Sequence, residues 1–254
     1  MSCQRCDRYI CVDCSTPGAI GFLCPEDAGD RVKIHRPTFV KSPFQAAPVT
    51  FVLIAINILV YIGLFTIPGF DQQVTFAKYY QGSEFGSILR VITSGFAHNT
   101  SDVLHILFNM YSLYVLGTII EPMIGRLRFL ALYFLSMFGG AIAYIWFAEF
   151  GSAVVGASGA IFGLMGAYLV LLRALKLDAS QMYIVIGINI LFGFSPGIAW
   201  QSHIGGLVVG AAVAGILAMT RSRAQRQLQI SLLVGLTVVL GVLWVYGNSM
   251  LPIG

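Results

Sequence analysis

Charged residues are scarce in this chain. Only 10% of the 254 residues are Asp, Glu, Lys or Arg, against about 25% in an ordinary soluble domain. A soluble fold of this length needs a polar surface that fifteen basic and eleven acidic side chains cannot supply, and the mean hydropathy of +0.81 agrees. The composition therefore excludes a soluble globular enzyme, a disordered chain and a nucleic-acid-binding protein.

Cysteine is absent after residue 24. The five cysteines are Cys3, Cys6, Cys11, Cys14 and Cys24. Their segregation predicts a small Cys-rich head followed by a long apolar body. No cleavable signal peptide is expected, because the N-terminus is polar and the first apolar run starts near Pro48.

The apolar body contains seven candidate membrane spans, each of which needs roughly 20 mainly apolar residues. All Lys and Arg except Lys78 and Arg90 fall in the N-terminal segment and in every second connection after it. Since cytoplasmic loops are enriched in Lys and Arg, this pattern predicts a cytoplasmic N-terminus and an outside C-terminus. The spans, of which the fifth is the shortest, are predicted at 48–67, 103–120, 127–148, 157–174, 181–195, 202–219 and 229–248.

Ionisable residues are missing from the middle of every span. Their absence argues against a carboxylate proton relay or an arginine voltage sensor. A transporter or channel is disfavoured for the same reason, and no inverted repeat is evident. Glu121 and Glu149 fall at span ends, where we expect them at the membrane interface.

Three spans carry polar side chains near their outer ends. His105 and Asn109 begin span 2, Ser158 begins span 4 and His203 begins span 6. These spans all run from outside to inside, so the four side chains lie at similar depth. His105 and Asn109 are four residues apart and share a helix face. Independent hydrogen bonds that merely hold helices together are the alternative interpretation.

Small residues favour convergence of spans 4 and 6, because they let membrane helices approach closely. A serine needs a base to remove its proton, and histidine is the usual base near neutral pH. No Asp or Glu follows Asp178, so a Ser158–His203 dyad is more economical than a triad. His105, Asn109 and the Ser158 N–H are then available to stabilise an oxyanion. The small residues that carry this argument are Gly156, Gly159, Gly163 and Gly166 in span 4 and Gly206, Gly210 and Ala214 in span 6.

At these residues the chain resembles the rhomboid intramembrane serine proteases. The resemblance covers roughly residues 45–220 and rests on three motifs in order. It implies hydrolysis of peptide bonds in or beside transmembrane helices, with Ser158 as nucleophile, His203 as general base and no catalytic cofactor. The motifs are His105-Ile-Leu-Phe-Asn109, Gly156-Ala-Ser158-Gly159 and Ser202-His203-Ile-Gly-Gly206.

Three smaller matches show departures from the family pattern. Leu89-Arg90 stands where the first outer loop commonly carries Trp-Arg, and Phe162 stands where many relatives carry Tyr. His98 resembles a loop histidine, at a longer spacing from His105 than usual. The seventh span resembles the extra C-terminal helix of a rhomboid subset and is expected to be structural or partner-binding, with no catalytic part.

The head contains two Cys-x2-Cys pairs and a later cysteine, a pattern typical of tetrahedral zinc sites in a reducing compartment. The four paired cysteines, Cys3, Cys6, Cys11 and Cys14, form one site in the first arrangement. In the second, Cys3, Cys6 and Cys24 are joined by Asp27 or His35. Spacing does not choose between them, and the zinc is expected to be structural.

These observations predict an all-α polytopic membrane protein with four regions: a zinc-binding head at 1–27, a linker at 28–46, a six-helix rhomboid core at 47–220 and an inner loop with a seventh helix at 221–254. The expected function is intramembrane serine endopeptidase. A catalytically inactive relative that binds transmembrane helices is the alternative. The expected partners are transmembrane substrates and the bilayer of the plasma membrane, with a cytoplasmic partner for the head and no nucleic acid.

Overall fold

The computed structural model describes residues 1–17, 22–28, 42–77, 84–149, 152–195 and 197–250. The chain divides into two compact units, Met1–Lys41 and Ser42–Gly254. Most of the predicted linker 28–46 lies outside the described residues. The alternative ligand His35 and Lys78 lie outside them as well. The four predicted region boundaries stay predictions.

The first unit has little regular structure. Its two short strands, β1 (Thr16–Pro17) and β2 (Phe22–Leu23), pair antiparallel, with Thr16 opposite Leu23. A 3₁₀ turn at Val12–Cys14 precedes them, and α1 (Pro25–Ala28) follows Cys24 directly.

The second unit is helical, and its long helices confirm the predicted membrane fold. Among the described residues, five helices are long and apolar enough to cross a membrane. The fourth and fifth spans are shorter helices of 17 and 14 residues. The seven helices are α3 (Pro48–Thr66), α6 (Val103–Ile124), α7 (Arg126–Phe147), α8 (Ser158–Ala174), α9 (Ser180–Gly193), α10 (Trp200–Met219) and α11 (Arg226–Ser249).

The remaining elements are short and join the long helices. They are α2 (Pro43–Ala46), α4 (Phe70–Val74), β3 (Phe76–Ala77), α5 (Glu84–Ser94), β4 (Ala153–Val154) and a 3₁₀ turn at Arg223–Gln225. Strands β3 and β4 pair antiparallel, with Phe76 opposite Val154. This pairing connects the segment that follows α4 to the residues just before α8.

Helix α8 lies at the centre of the second unit and contacts α6, α7, α9 and α10. Glycine allows its close contact with α10. A Cβ atom on Gly206 would collide with the Gly159 carbonyl, and one on Gly210 would collide with the Gly163 carbonyl. Because no side chain separates the two backbones, α8 and α10 pack at close range.

Glu121 of α6 caps α3. The first turn of a helix has N–H groups with no partner inside the helix. In α3, the Val49 and Thr50 N–H groups donate to the two Glu121 carboxylate oxygens at 3.0 and 2.8 Å, and the Thr50 hydroxyl donates at 2.8 Å. The Glu121 side chain is buried where it accepts these hydrogen bonds, and its expected position at the membrane interface stays a prediction.

Candidate active site

Ser158 is the first residue of α8, and the turn before it requires glycine. Gly156 has φ +125°, a conformation that residues with a Cβ rarely adopt, and its N–H donates to the Ser94 carbonyl at 2.9 Å. This hydrogen bond ties the turn to the end of α5. Ser158 thus enters α8 from a turn whose backbone is held by a neighbouring segment.

His203 lies in the first turn of α10 and faces Ser158. Its Nε2 is 2.9 Å from Ser158 Oγ, within hydrogen-bonding distance. The Gly159–Gly206 contact described above brings the starts of α8 and α10 together. The close approach predicted from the glycines is therefore present, and it joins two residues that are 45 positions apart.

Phe162 fixes the plane of the His203 ring. The two rings are stacked, with centroids 4.1 Å apart and an interplanar angle of 10°. On the opposite edge of the imidazole, Nδ1 is buried and has no hydrogen-bond partner within the described ranges. The structure therefore orients His203 by aromatic packing and by its contact with Ser158.

His105 is oriented by the loop before α6. The Asn99 N–H donates to His105 Nδ1 at 3.3 Å, so the proton of a neutral His105 is on Nε2. A Cβ atom on Gly156 would lie 2.9 Å from His105 Nε2 and 3.8 Å from Ser158 Oγ. Since Gly156 has no side chain, this space between the donor and the hydroxyl is free for a small group.

Asn109 lies one turn after His105 and is mostly buried. One N–H of its amide donates to the His105 carbonyl at 2.7 Å. An amide nitrogen has two hydrogens, so the second is available to another acceptor. The sequence grouped His105 with Asn109 on one face of a helix, and this contact joins them.

His98 is buried beside His105, with ring centroids 5.0 Å apart. Its Nδ1 is 3.3 Å from the Phe96 carbonyl, and its Nε2 has no partner among the described residues. Burial, followed by the charge of nearby His105, lowers the pKa of His98 to about 4. His98 is therefore neutral near pH 7 and packs behind the ring of His105.

A small cavity lies beside the start of α8. The cavity has room for roughly one water molecule, since the volume open to the centre of a water is about 20 Å³. Phe76, Val154, Gly156 and Gly159 form part of its wall. The hydroxyl-bearing residues Ser94 and Ser202 also line it. The cavity can hold water close to Ser158 in an otherwise apolar interior.

The head brings four possible metal ligands together. One donor atom from each of Cys3, Cys6, Cys24 and Asp27 lies within 4.8 Å of all the others. Cys6 Sγ and Cys24 Sγ are 3.8 Å apart, which is about the separation of two thiolates on tetrahedral zinc. The Cys3 and Cys24 thiols are each 3.2 Å from Asp27 Oδ2. The donor set therefore fits a zinc ion.

Hydrogen bonds within the cluster shift the pKa values of its side chains. Hydrogen bonds from Cys6, Cys24 and Cys3 lower the pKa of Asp27, and the same contact with Asp27 raises the pKa of Cys6 to about 12. Cys11 and Cys14 lie outside the cluster and are exposed. A hydrogen bond with Cys14 lowers the pKa of Cys11. The arrangement with Cys24 and Asp27 is thus the one whose ligands lie together.

Comparison with known proteins extends these observations. The rhomboid domain family model matches residues 86–220, which is more than half of the chain. The chain therefore belongs to the rhomboid family. The matched range includes the Ser158–His203 pair, His105 and Asn109.

Two bacterial relatives are named rhomboid proteases. The rhomboid protease GluP of Bacillus subtilis (strain 168) is 32% identical over 203 residues, which cover 74% of this chain and 39% of that protein. The rhomboid protease AarA of Providencia stuartii is 28% identical over 204 residues, covering 66% of this chain and 72% of that protein.

A plant relative shares the same region. The RHOMBOID-like protein 6, mitochondrial, of Arabidopsis thaliana is 36% identical over 149 residues, covering 56% of this chain and 47% of that protein. The chain thus spans less than half the length of GluP and of this plant relative.

Two contacts of the site had no signal in the sequence. Asn99 orients His105 through its backbone N–H, which no side-chain pattern reveals. Phe76 reaches the cavity because β3 pairs with β4, two strands of two residues each that are too short to show a strand pattern. Both contacts depend on the path of a loop.

Proposed function

We propose that the protein is an intramembrane serine endopeptidase that uses Ser158 as nucleophile and His203 as general base. The observation that carries the proposal is the 2.9 Å contact between Ser158 Oγ and His203 Nε2. Hydrogen-bonded contact between a serine and a base is what nucleophilic catalysis requires. The family and the bacterial relatives named rhomboid proteases support the same reaction class.

In the proposed first step, Ser158 Oγ attacks the scissile carbonyl carbon while His203 Nε2 takes the hydroxyl proton. The carbonyl π electrons move to oxygen and give a tetrahedral oxyanion. Donors aimed at this oxygen stabilise the transition state. We assign this part to His105 Nε2–H, the second N–H of the Asn109 amide and the Ser158 backbone N–H.

Collapse of the intermediate breaks the C–N bond, and His203 returns its proton to the leaving amine. This step leaves an acyl ester on Ser158. Water then attacks the ester carbonyl carbon while His203 accepts a proton from it. The bond from that carbon to Ser158 Oγ breaks, and His203 gives its proton to Oγ, which releases the acid and restores Ser158. The cavity beside Gly156 and Gly159 is a suitable source of that water.

Access to the site is proposed to lie beside α9. Its 14 residues span about 21 Å at 1.5 Å per residue, less than the hydrocarbon thickness of a bilayer. Only Met182, Ile186 and Gly193 of this helix are buried. A Cβ on Gly193 would lie 3.4 Å from His203 Nδ1. A short, lightly packed helix whose end reaches the dyad is suited to admit a transmembrane substrate.

The distribution of Lys and Arg supports a multi-pass protein with its N-terminus in the cytoplasm and its C-terminus outside. Its location in the plasma membrane stays a prediction. For the head we propose one structural zinc on Cys3, Cys6, Cys24 and Asp27. A cytoplasmic partner for the head stays a prediction.

The decisive experiment is cleavage of a single-span substrate by purified protein in lipid vesicles. We expect product from the wild type, and a loss of at least about 10³-fold in Ser158→Ala and His203→Ala. Exposed Ser222 provides the matched control, Ser222→Ala, which should keep full activity. Product persisting in Ser158→Ala would overturn the dyad. Folded wild type that gives no product with several substrates would favour the inactive, helix-binding alternative.

Metal analysis of the same protein tests the head. We expect about one zinc per chain, lost in Cys24→Ser and retained in Cys11→Ser, because Cys11 lies outside the ligand cluster. Loss of zinc in Cys11→Ser with retention in Cys24→Ser would instead support the site made of the four paired cysteines. Protein without zinc would overturn both arrangements.

A further inference from the structure

Helix α11 is attached to the core at both ends. Near its start, Arg128 Nε of α7 donates to Gln229 Oε1 at 2.8 Å, and Gln229 Nε2 donates to the Thr220 hydroxyl at 2.8 Å. Near its end, Trp146 Nε1 of α7 donates to the Leu243 carbonyl at 3.2 Å. Interhelical hydrogen bonds of this kind fix the rotation of a membrane helix. The side of α11 that faces α7 is therefore defined.

Trp244 occupies that side. It is only 4% exposed, although its helix is mostly open to the surroundings. Its ring centroid lies 5.9 Å from Phe76 and 6.3 Å from Phe138. Phe76 also contacts Tyr144 of α7, with centroids 6.3 Å apart. The ring of Phe76 is thus packed between an indole from α11 and a phenol from α7.

Phe76 connects this aromatic group to the candidate active site. It pairs with Val154 across β3 and β4, and both residues line the cavity beside Gly156 and Gly159. Val154 is four residues before Ser158. A continuous series of contacts therefore runs from Trp244 through Phe76 and Val154 to the turn that carries the nucleophile.

The β3–β4 pair needs such support. Each strand has two residues, and an isolated two-stranded pair is marginal without packing against another element. Removal of the indole would leave one side of Phe76 without packing atoms. We expect the pair, and with it the Gly156–Ser158 turn, to fluctuate more widely.

We propose that Trp244 is a positioning residue that holds the Gly156–Ser158 turn through Phe76 and the β3–β4 pair, so that the seventh helix contributes to hydrolysis. This proposal rests on the proposed function. It departs from the expectation that the seventh helix has no catalytic part. Trp244 acts through other residues and does not contact the substrate.

The kinetic test compares Trp244→Ala with Val245→Ala, a change at the next residue, which is 51% exposed. We expect kcat of Trp244→Ala to fall about tenfold with KM within about twofold, because misplacement of the nucleophile affects chemistry more than binding. Val245→Ala should match the wild type, and Trp244→Phe should restore kcat to within about threefold since it keeps a ring against Phe76. If Trp244→Ala does not fold, Trp244→Leu replaces it.

Hydrogen exchange gives a readout that does not depend on activity. We expect amides of residues 152–156 to exchange about tenfold faster in Trp244→Ala than in Val245→Ala, since local opening follows the packing of the segment. Unchanged exchange, or faster exchange with unchanged kcat, overturns the proposal. A uniform rise across all helices also overturns it, because it shows general destabilisation. If the wild type has no activity, the proposed function has failed, and the exchange data still decide whether α11 holds the β3–β4 pair.

Discussion

Helices α7, α8 and α10, here called the inner helices of the bundle, differ from α3, α9 and α11, the outer helices of the bundle, in how they are held. In α8, 11 of 17 residues are buried, whereas only 3 of 14 are buried in α9 and 3 of 19 in α3. The inner helices meet through glycine and backbone. The outer helices are attached by a few side chains, such as Glu121 of α6, which caps α3, and Gln229 of α11.

This difference has a physical reason. Lipid is as apolar as a leucine side chain, so burial from water does not drive helices together inside a membrane. Close packing and hydrogen bonds must do so instead. The inner helices use close packing at their glycines, which gives a rigid support for Ser158 and His203. The outer helices have few attachment points, and each point should therefore have a large local effect.

The largest expected effect is from Gly206→Ala in an inner helix. The new Cβ would collide with the Gly159 carbonyl and push α10 away from α8. Because this contact brings His203 to Ser158, we expect cleavage to fall more than about 100-fold and thermal stability to drop. Cleavage assays and thermal unfolding in detergent would measure both.

Gly215→Ala is the control for that change. Gly215 is on the same helix, and apart from its chain neighbours and its own helix backbone no atom of the described residues lies within 4 Å of the position that its new methyl group would take. The substitution should leave activity and stability near the wild type. Equal losses in the two variants would show that the contact of Gly206 with Gly159 does not explain the result, and the distinction between inner and outer helices would be lost.

A smaller effect is expected at Phe162. Phe162→Leu removes the ring stacked on His203 and should lower kcat about tenfold, since aromatic contacts contribute about 0.5–1.5 kcal/mol beyond area burial. Phe162→Tyr keeps the ring and should stay within about threefold of wild type. Steady-state kinetics would separate kcat from KM. Equal activity of the leucine and tyrosine variants would contradict an orienting function for the ring.

The smallest effect on cleavage is expected at the attachment of α3. Glu121→Gln replaces one acceptor oxygen with an amide that faces the N–H donors of α3, which should cost about 1–3 kcal/mol. We expect a lower unfolding temperature and little change in kcat, because α3 does not reach the dyad through these contacts. Thermal unfolding compared with Glu149→Gln, at an exposed residue, would check this. A large loss of kcat at unchanged stability would contradict it.

Much of the fold could be predicted because the apolar composition of a segment is enough to identify a membrane span. The predicted spans agree with the helices to within a few residues, and the fifth is the shortest in both. Ser158 and His203 could be paired in advance because both begin spans that run in the same direction and carry glycines below them. Their assignment as nucleophile and base is still a proposal.

Other features could not be predicted in the same way. The capping of α3 by Glu121 had no signal in the sequence, since the partners of Glu121 on α3 are about 70 residues away. The five cysteines allowed two ligand sets, and only the approach of Cys24 and Asp27 to Cys3 and Cys6 distinguishes them. Each case depends on a contact between segments that are distant in sequence.

The sequence by itself determined that this is a helical membrane protein with a cysteine-rich head, and it placed serine, histidine and asparagine at similar depths. These properties depend on the composition and the local periodicity of a segment, and both are visible in that segment alone. The tertiary structure alone decided the 2.9 Å contact of Ser158 with His203, the tautomer of His105 and the contact of Trp244 with Phe76. Those depend on how closely helices and loops pack, and packing is a property of the whole chain.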